Sequence, residues 1–305
     1  MVRVRLDPMT KARNDSNRDL SGLFPPLPTP FDAEGEFAPG LQRYLIGQLE
    51  PSVDGFVVLG SNGEAALLGE DERREVLAAA RAATSKVLIA GTGGEATRLV
   101  LERTLAAAEL GADYALVLPP HYFRSAMTDA ALRLHYESLA ERSSIPLLLY
   151  NIPQVTGLAL SPELIAALAQ HPNIVGLKDS SGNVLALGET LRQAPADFSV
   201  LTGNAPTLLP ALSLGARGGI LAVVNVAAEA YRALLEHASR GELAEAREVQ
   251  LSLNPLALAV TRAYGVAGLK AALHLQGRSV GAPRPPLTPL GPEGQEVLRR
   301  FLEAL

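Results

Sequence analysis

Leu27-Pro28-Thr29-Pro30-Phe31 ends the first apolar run of the chain, 22–27, and its reading decides the fold. An open doubly wound sheet that binds a dinucleotide would place G-x-G-x-x-G here, between the first strand and the first helix. Two prolines stand there instead. Seven further apolar runs follow, at 55–59, 86–90, 114–118, 146–150, 174–178, 198–201 and 219–223. Each is rich in Val, Ile or Leu and edged by Gly, Pro, Asn or Asp, as strands buried on both faces are. Between them, 69–84, 95–110, 128–142 and 161–170 carry Ala, Leu, Glu and Arg with apolar residues three and four apart, the pattern of amphipathic helices. Ser161-Pro162-Glu163 supplies an N-cap followed by proline at the first helical position. Gly91-Thr92-Gly93-Gly94-Glu95 lacks the dinucleotide fingerprint and reads as a tight βα turn. Eight evenly spaced alternations predict an α/β fold closed as a (β/α)8 TIM barrel over 21–225. Residues 226–305 are mainly helical in pattern and are expected to pack on the barrel as a C-terminal helical extension. Residues 1–20 mix basic and acidic side chains without the apolar core of a signal peptide and are expected to form a mobile N-terminal arm.

Composition narrows the chemistry. The 305 residues are 48% hydrophobic and 19% charged, enough apolar material for a large core and against disorder. A net charge of −5 gives no basic face for nucleic acid. No apolar run approaches the ~20 residues that span a bilayer, so no membrane partner is expected, and a chain without cysteine fits a reducing, cytoplasmic location. The absence of cysteine excludes a disulfide scaffold, a thiol nucleophile and a zinc ribbon. Only four of the 27 basic residues are lysines, namely Lys11, Lys86, Lys178 and Lys270. Chemistry that needs an amine has four candidates.

In a barrel the active site lies where the strands end. Lys178 ends Asn173-Ile174-Val175-Gly176-Leu177-Lys178-Asp179. Alternation puts Ile174, Gly176 and Lys178 on one face and Val175 and Leu177 on the other. With the Val/Leu face toward the helices, Lys178 points into the barrel above a glycine that leaves room for a ligand. Burial disfavours an ammonium, so a desolvated lysine becomes in part a nucleophilic amine. Position alone leaves open a lysine that snorkels to solvent or pairs with Asp179. Tyr150 ends the preceding run, where a phenol can relay protons or simply fill the core. Gly60-Ser61-Asn62-Gly63-Glu64 ends the second run, where its backbone N–H groups can hold an anion or form an ordinary βα turn.

An amine, a phenol and an anion nest on one rim suit a Schiff-base enzyme acting on a 2-oxo acid. The five histidines show neither H-E-x-x-H nor clustered metal spacing, and there is no G-x-S-x-G elbow. No metal site is expected. Asp179 is the one carboxylate flagged at a strand end, and its side chain should face away from Lys178.

With these residues in view, the sequence over about 20–305 resembles the dihydrodipicolinate synthase / N-acetylneuraminate lyase family of pyruvate-type class I aldolases. The resemblance rests on Gly60-Ser61-Asn62-Gly63-Glu64, on Tyr150-Asn151-Ile152-Pro153 with Thr156-Gly157, and on Val175-Gly176-Leu177-Lys178-Asp179. It implies that Lys178 forms the imine and Tyr150 is the general acid/base. Ser61 and Tyr122 would complete the proton relay, Tyr122 reaching in from a neighbouring subunit of a homotetramer built from tight dimers. Ser61 and Asn62 would bind the substrate carboxylate through backbone N–H groups. Ile220 would line the pyruvate pocket, with Ser180 and Gly203 as further substrate-binding positions. No external cofactor is implied.

Departures bear on the substrate. Family synthases usually carry an arginine two residues after the Y-N-x-P proline, where Val155 stands here after Gln154, and G-T-T-G-E in place of the Ser61-Asn62 version. Losing a guanidinium that pairs with a carboxylate is not a neutral change. Together with Lys178-Asp179-Ser180 and the tail from Ala259 to Lys270, the pattern looks more like a 4-hydroxy-2-oxoglutarate aldolase, cleaving to pyruvate and glyoxylate. The alternative is a dihydrodipicolinate synthase condensing pyruvate with aspartate semialdehyde, and a third reading is a non-catalytic 2-oxo-acid-binding barrel. Many family synthases bind L-lysine near positions matching Ala65, Ala66, Glu95, Leu99 and His121. The alanines offer it no polar partner, so no lysine inhibition is expected.

Overall fold

The computed structural model describes residues 20–305, so the expected arm lies outside the described residues, except for Leu20. Eight strands alternate with helices: β1 (Gly22–Leu23), β2 (Gly55–Val58), β3 (Val87–Gly91), β4 (Tyr114–Val117), β5 (Leu147–Asn151), β6 (Ile174–Asp179), β7 (Ser199–Thr202) and β8 (Gly218–Gly219). All neighbours pair in parallel, β8 returns to β1, and a bridge between Pro26 and Val57 joins the first strand to the second. The sheet is a closed TIM barrel. The first and last strands are shorter than their apolar runs. Pro25 and Pro26 have no N–H to give to a ladder, so β1 stops after Leu23. At the other end Ile220 N still bonds Thr202 O at 2.9 Å, but Val224 N then turns back to Leu221 O at 3.2 Å and a helix begins.

The ring of helices is α1 (Pro39–Leu49), α2 (Glu70–Ala83), α3 (Thr97–Glu109), α4 (Asp129–Arg142), the single turn α5 (Pro153–Thr156), α6 (Pro162–Leu168), α7 (Val184–Gln193), α8 (Leu208–Leu214) and α9 (Val224–Ser239). Ser161 caps α6 by accepting Leu164 N–H at 3.1 Å, with Pro162 at the first position as its sequence signal requires. Because α9 packs against β1 and α8, it is the eighth helix of the barrel. The boundary expected at 226 therefore falls inside a barrel helix, and the extension proper is α10 (Leu243–Leu258), α11 (Gly265–Leu275) and α12 (Pro292–Glu303). The misplacement arose because 219–223 has a strand's composition but spends its last residues entering α9. Among the described residues no helix is long and apolar enough to cross a membrane.

Two apolar layers surround the strands. Phe24, Val57, Ile89, Leu116, Leu148, Tyr150, Leu201 and Ile220 fill the barrel interior, while Ala115, Val117, Leu147, Leu149, Leu177 and Val200 pack outward on helices. Strict alternation fails on β6. Leu147 pairs with Ile174 but Leu148 pairs with Gly176, so Val175 is an extra residue, a bulge. Ile174 consequently packs outward with Leu177, and Val175 joins the interior cluster. This corrects the face assigned to Ile174 and Val175 by simple alternation. Beyond the bulge the phase is restored: Gly176 is packed against Leu148 and Ser199, and Lys178 faces the mouth.

Candidate active site

The register Tyr150↔Lys178 sets the phenol and the amine side by side at the ends of β5 and β6. Lys178 is 3% exposed, and its Nζ lies 4.1 Å from the centroid of the Tyr150 ring. Asp179 does not pair with it. One Asp179 oxygen accepts from Asn151 Nδ2 at 3.0 Å and from Ser181 N at 2.9 Å, and the other accepts from the Ser181 hydroxyl at 3.0 Å. Burial raises the Asp179 carboxyl above its ordinary value, with the Ser181 and Asn151 bonds opposing. Asp179 thus ties β6 to β5, and among the described residues no carboxylate forms an ion pair with Lys178. Both bland alternatives for this lysine, solvent exposure and pairing with Asp179, are absent from the structure.

Gly203 completes this side of the mouth. A Cβ there would stand 3.1 Å from Lys178 Cε and would collide with the Ser180 hydroxyl. Lys178, Ser180 and Gly203 therefore converge on one space that a side chain at 203 would close. Ile220, 1% exposed, shares the interior cluster with Tyr150.

The Gly60-to-Glu64 segment forms a 3-10 turn, Ser61–Gly63. Gly63 N bonds Gly60 O at 3.0 Å and Glu64 N bonds Ser61 O at 3.1 Å, leaving the Ser61 and Asn62 N–H groups outside these bonds. The turn is fastened from three sides. Leu59, which leads into it, has φ 59°, a conformation that β-region preferences of a bulky residue oppose. Thr29 Oγ1 donates to Gly63 O at 2.5 Å. Glu64, left-handed at φ 54°, buries its carboxylate against Lys270 Nζ at 2.7 Å and accepts Arg284 N–H at 2.7 Å. Lys270 and Arg284 stack on Phe31, 4.3 and 4.2 Å from its centroid. Burial pushes the Lys270 ammonium below its usual value, Glu64 pulls it back up, and Arg284 adds a repulsion.

Sequence reasoning passed over Thr29, Glu64 and Lys270 as supports of the turn. A signal existed, since Lys270 is a lone lysine in the apolar run Gly268-Leu269-Lys270-Ala271-Ala272-Leu273. Removing one member of so buried a pair leaves the other charge uncompensated. Lys270→Met and Glu64→Gln are each expected to cost about 3–5 kcal/mol of stability. Urea unfolding measures it, and a double variant less damaged than either single would fit the pairing. Singles within 1 kcal/mol of the unmodified protein would refute it.

Tyr122 stands apart. It is 77% exposed, stacked edge-to-face on Phe123 at 5.0 Å, and presented by Glu95, whose Oε2 accepts the His121 and Tyr122 N–H groups at 2.9 and 2.8 Å. Within one chain the structure does not bring it to Lys178.

Comparisons with known proteins agree with this architecture. The 4-hydroxy-tetrahydrodipicolinate synthase of Exiguobacterium sp. strain AT1b is 37% identical over 287 residues, covering 93% of this chain and 97% of that protein. The crystal structure of dihydrodipicolinate synthase from Aquifex aeolicus superposes with a TM-score of 0.88 at 33% identity, over 93% of this chain and 97% of that one. The synthase of Cyanidioschyzon merolae with lysine bound matches with a TM-score of 0.89 at 30% identity, over 93% and 97% of the two chains. A profile described as the dihydrodipicolinate synthetase family matches residues 19–305, and with a lysine and a tyrosine paired across β5 and β6 of a TIM barrel, this chain belongs to that family of lyase-type enzymes.

Proposed function

We propose that the chain forms a Schiff base between Lys178 and the carbonyl carbon of pyruvate or a pyruvate-type 2-oxo acid. One observation carries this reading, the buried Lys178 amine set over Tyr150 with no carboxylate partner among the described residues. The amine attacks C2, the carbinolamine loses water, and the iminium serves as the electron sink. In the cleavage direction the C3–C4 bond breaks as Tyr150 takes the C4 hydroxyl proton, leaving an enamine. Protonation at C3 and hydrolysis release pyruvate and restore the amine. In the condensing direction the enamine carbon attacks an aldehyde and Tyr150 returns the proton. The Ser61 and Asn62 N–H groups hold the 2-oxo acid carboxylate, Ser180, Gly203 and Ile220 line its pocket, and the scheme asks for no external cofactor. Tyr122 joins the relay from a second copy in a cytoplasmic homodimer or homotetramer. Sodium borohydride with pyruvate tests the reading: a stable added mass on the protein is expected, and no adduct would leave only a non-catalytic barrel.

For the second substrate, the names of the relatives support a 4-hydroxy-tetrahydrodipicolinate synthase using aspartate semialdehyde, and that reading stands first. The aldolase likeness of the motifs finds no support in those names. A specific observation still favours cleavage of 4-hydroxy-2-oxoglutarate. Val155 is 59% exposed at the position where family synthases set their arginine. Its neighbour Gln154 is occupied with the carbonyls of Ser180 and Ser181 at 3.2 and 2.9 Å. Assaying consumption of pyruvate with aspartate semialdehyde beside pyruvate release from 4-hydroxy-2-oxoglutarate separates the two, the larger kcat/KM naming the substrate.

L-lysine at millimolar concentration is expected to leave activity unchanged. The Glu95 carboxylate is already taken up by His121 and Tyr122, and Ala65 and Ala66 offer a charged ligand nothing. Saturable inhibition in a lysine titration would count against this and favour the synthase reading.

A further inference from the structure

Both substrate readings place a second carboxylate at the far end of the molecule, away from the Ser61–Asn62 turn. The α5 turn borders the strand ends that carry Tyr150 and Lys178. It follows Tyr150-Asn151 after the single residue Ile152, and through Gln154 it is bound to the two residues that succeed Asp179. Gly157 closes it in the left-handed conformation, φ 66°, and presents bare backbone. Arg124 occupies the space this glycine leaves. A Cβ at 157 would lie 2.9 Å from Arg124 Cδ and would collide with its Nη1.

Arg124 sits in the 3-10 turn Arg124–Ala126 between β4 and α4, two residues beyond Tyr122. Its exposed guanidinium enters no ion pair or hydrogen bond with a described residue. Other arginines near the strand ends are engaged: Arg73 with the carbonyls of Ala65 and Gly91, Arg103 with Glu70, and Arg284 with Glu72. Arg124 is thus seated against Gly157 by its δ-carbon and one edge of its guanidinium, while its N–H groups bond no described residue, which suits two-point recognition of a carboxylate.

We propose that Arg124 is the specificity residue for the distal carboxylate of the substrate, doing from the β4–α4 loop what Val155 cannot do from α5. The proposal rests on the imine reading above. The test compares Arg124→Gln and Arg124→Lys with the unmodified enzyme. The substrates are 4-hydroxy-2-oxoglutarate and its analogue without the far carboxylate, 4-hydroxy-2-oxobutanoate, and, for condensation, aspartate semialdehyde beside 3-aminopropanal. Arg124→Gln is expected to lower kcat/KM on the carboxylate-bearing substrate by about 10- to 10²-fold, the worth of a charged hydrogen bond, with little change on the analogue. Arg124→Lys should recover part of the loss. Equal losses on both members of a pair, or no loss on either, would overturn the assignment. Borohydride trapping with pyruvate, run on the same proteins, reports the imine alone. Failure of the unmodified enzyme to trap would sink the imine reading, whereas trapping without the specificity change would sink only the role of Arg124.

Discussion

Lys178→Ala is expected to lose turnover and borohydride trapping together while the protein keeps its thermal unfolding transition. No other described amine stands in for it. Lys86 Nζ is spent on the carbonyls of Glu50 and Val53, at 2.5 Å each, and Lys270 is locked to Glu64. The substitution removes a side chain from the mouth and leaves the Asp179–Asn151–Ser181 bonds untouched, so the fold has little reason to fail. Lys178→Arg should be equally inactive, because a guanidinium does not deprotonate to attack a ketone. Mass spectrometry after borohydride and pyruvate measures both variants. An adduct formed at the unmodified rate in either would move the nucleophile elsewhere.

Tyr150→Phe is the second large effect. The ring beneath Lys178 Nζ and its packing in the interior cluster both survive, since only the hydroxyl goes. The loss therefore isolates proton transfer, and kcat should fall about 10²- to 10⁴-fold, the range of a positioned general acid or base. A kcat within a few-fold of normal would mean that this tyrosine only fills the core.

Legibility in the sequence followed the range of the interactions. Strands β2 to β7 were readable because each apolar run is bounded by its own turn residues and buried on both faces. β1 and β8 were overextended because composition does not say where a ladder must stop. Their ends are set by Pro25 and Pro26 and by the early entry into α9. The bulge at Val175 was invisible for a related reason, since alternation describes one strand and a bulge is a relation between two. At the candidate site, the strand-end positions of Lys178, Tyr150 and the Ser61–Asn62 turn were legible because each ends its own apolar run. Arg124 was not, because its place depends on a glycine in the loop after the neighbouring strand β5 meeting it. Tyr122 was assigned a role only through family likeness, and a single chain leaves it facing outward.

The clasp around Phe31 carries a consequence for how the enzyme comes into being. Glu64 and the Arg284 amide it accepts are 220 residues apart in the chain. At ~5–20 residues per second, a ribosome needs roughly ten to forty seconds to cross that interval. For most of it Glu64 is without Lys270 and Arg284, the two groups that hold its carboxylate in the finished fold. Ser61, Tyr150 and Lys178 have all been synthesised by then, yet the Ser61–Gly63 turn still lacks its fastening from Lys270 and Arg284. That fastening is completed only when α11 supplies Lys270 and the following loop brings Arg284 onto Phe31. A chain released before Lys270 would carry Ser61, Tyr150 and Lys178 without the clasp that holds the Ser61–Gly63 turn.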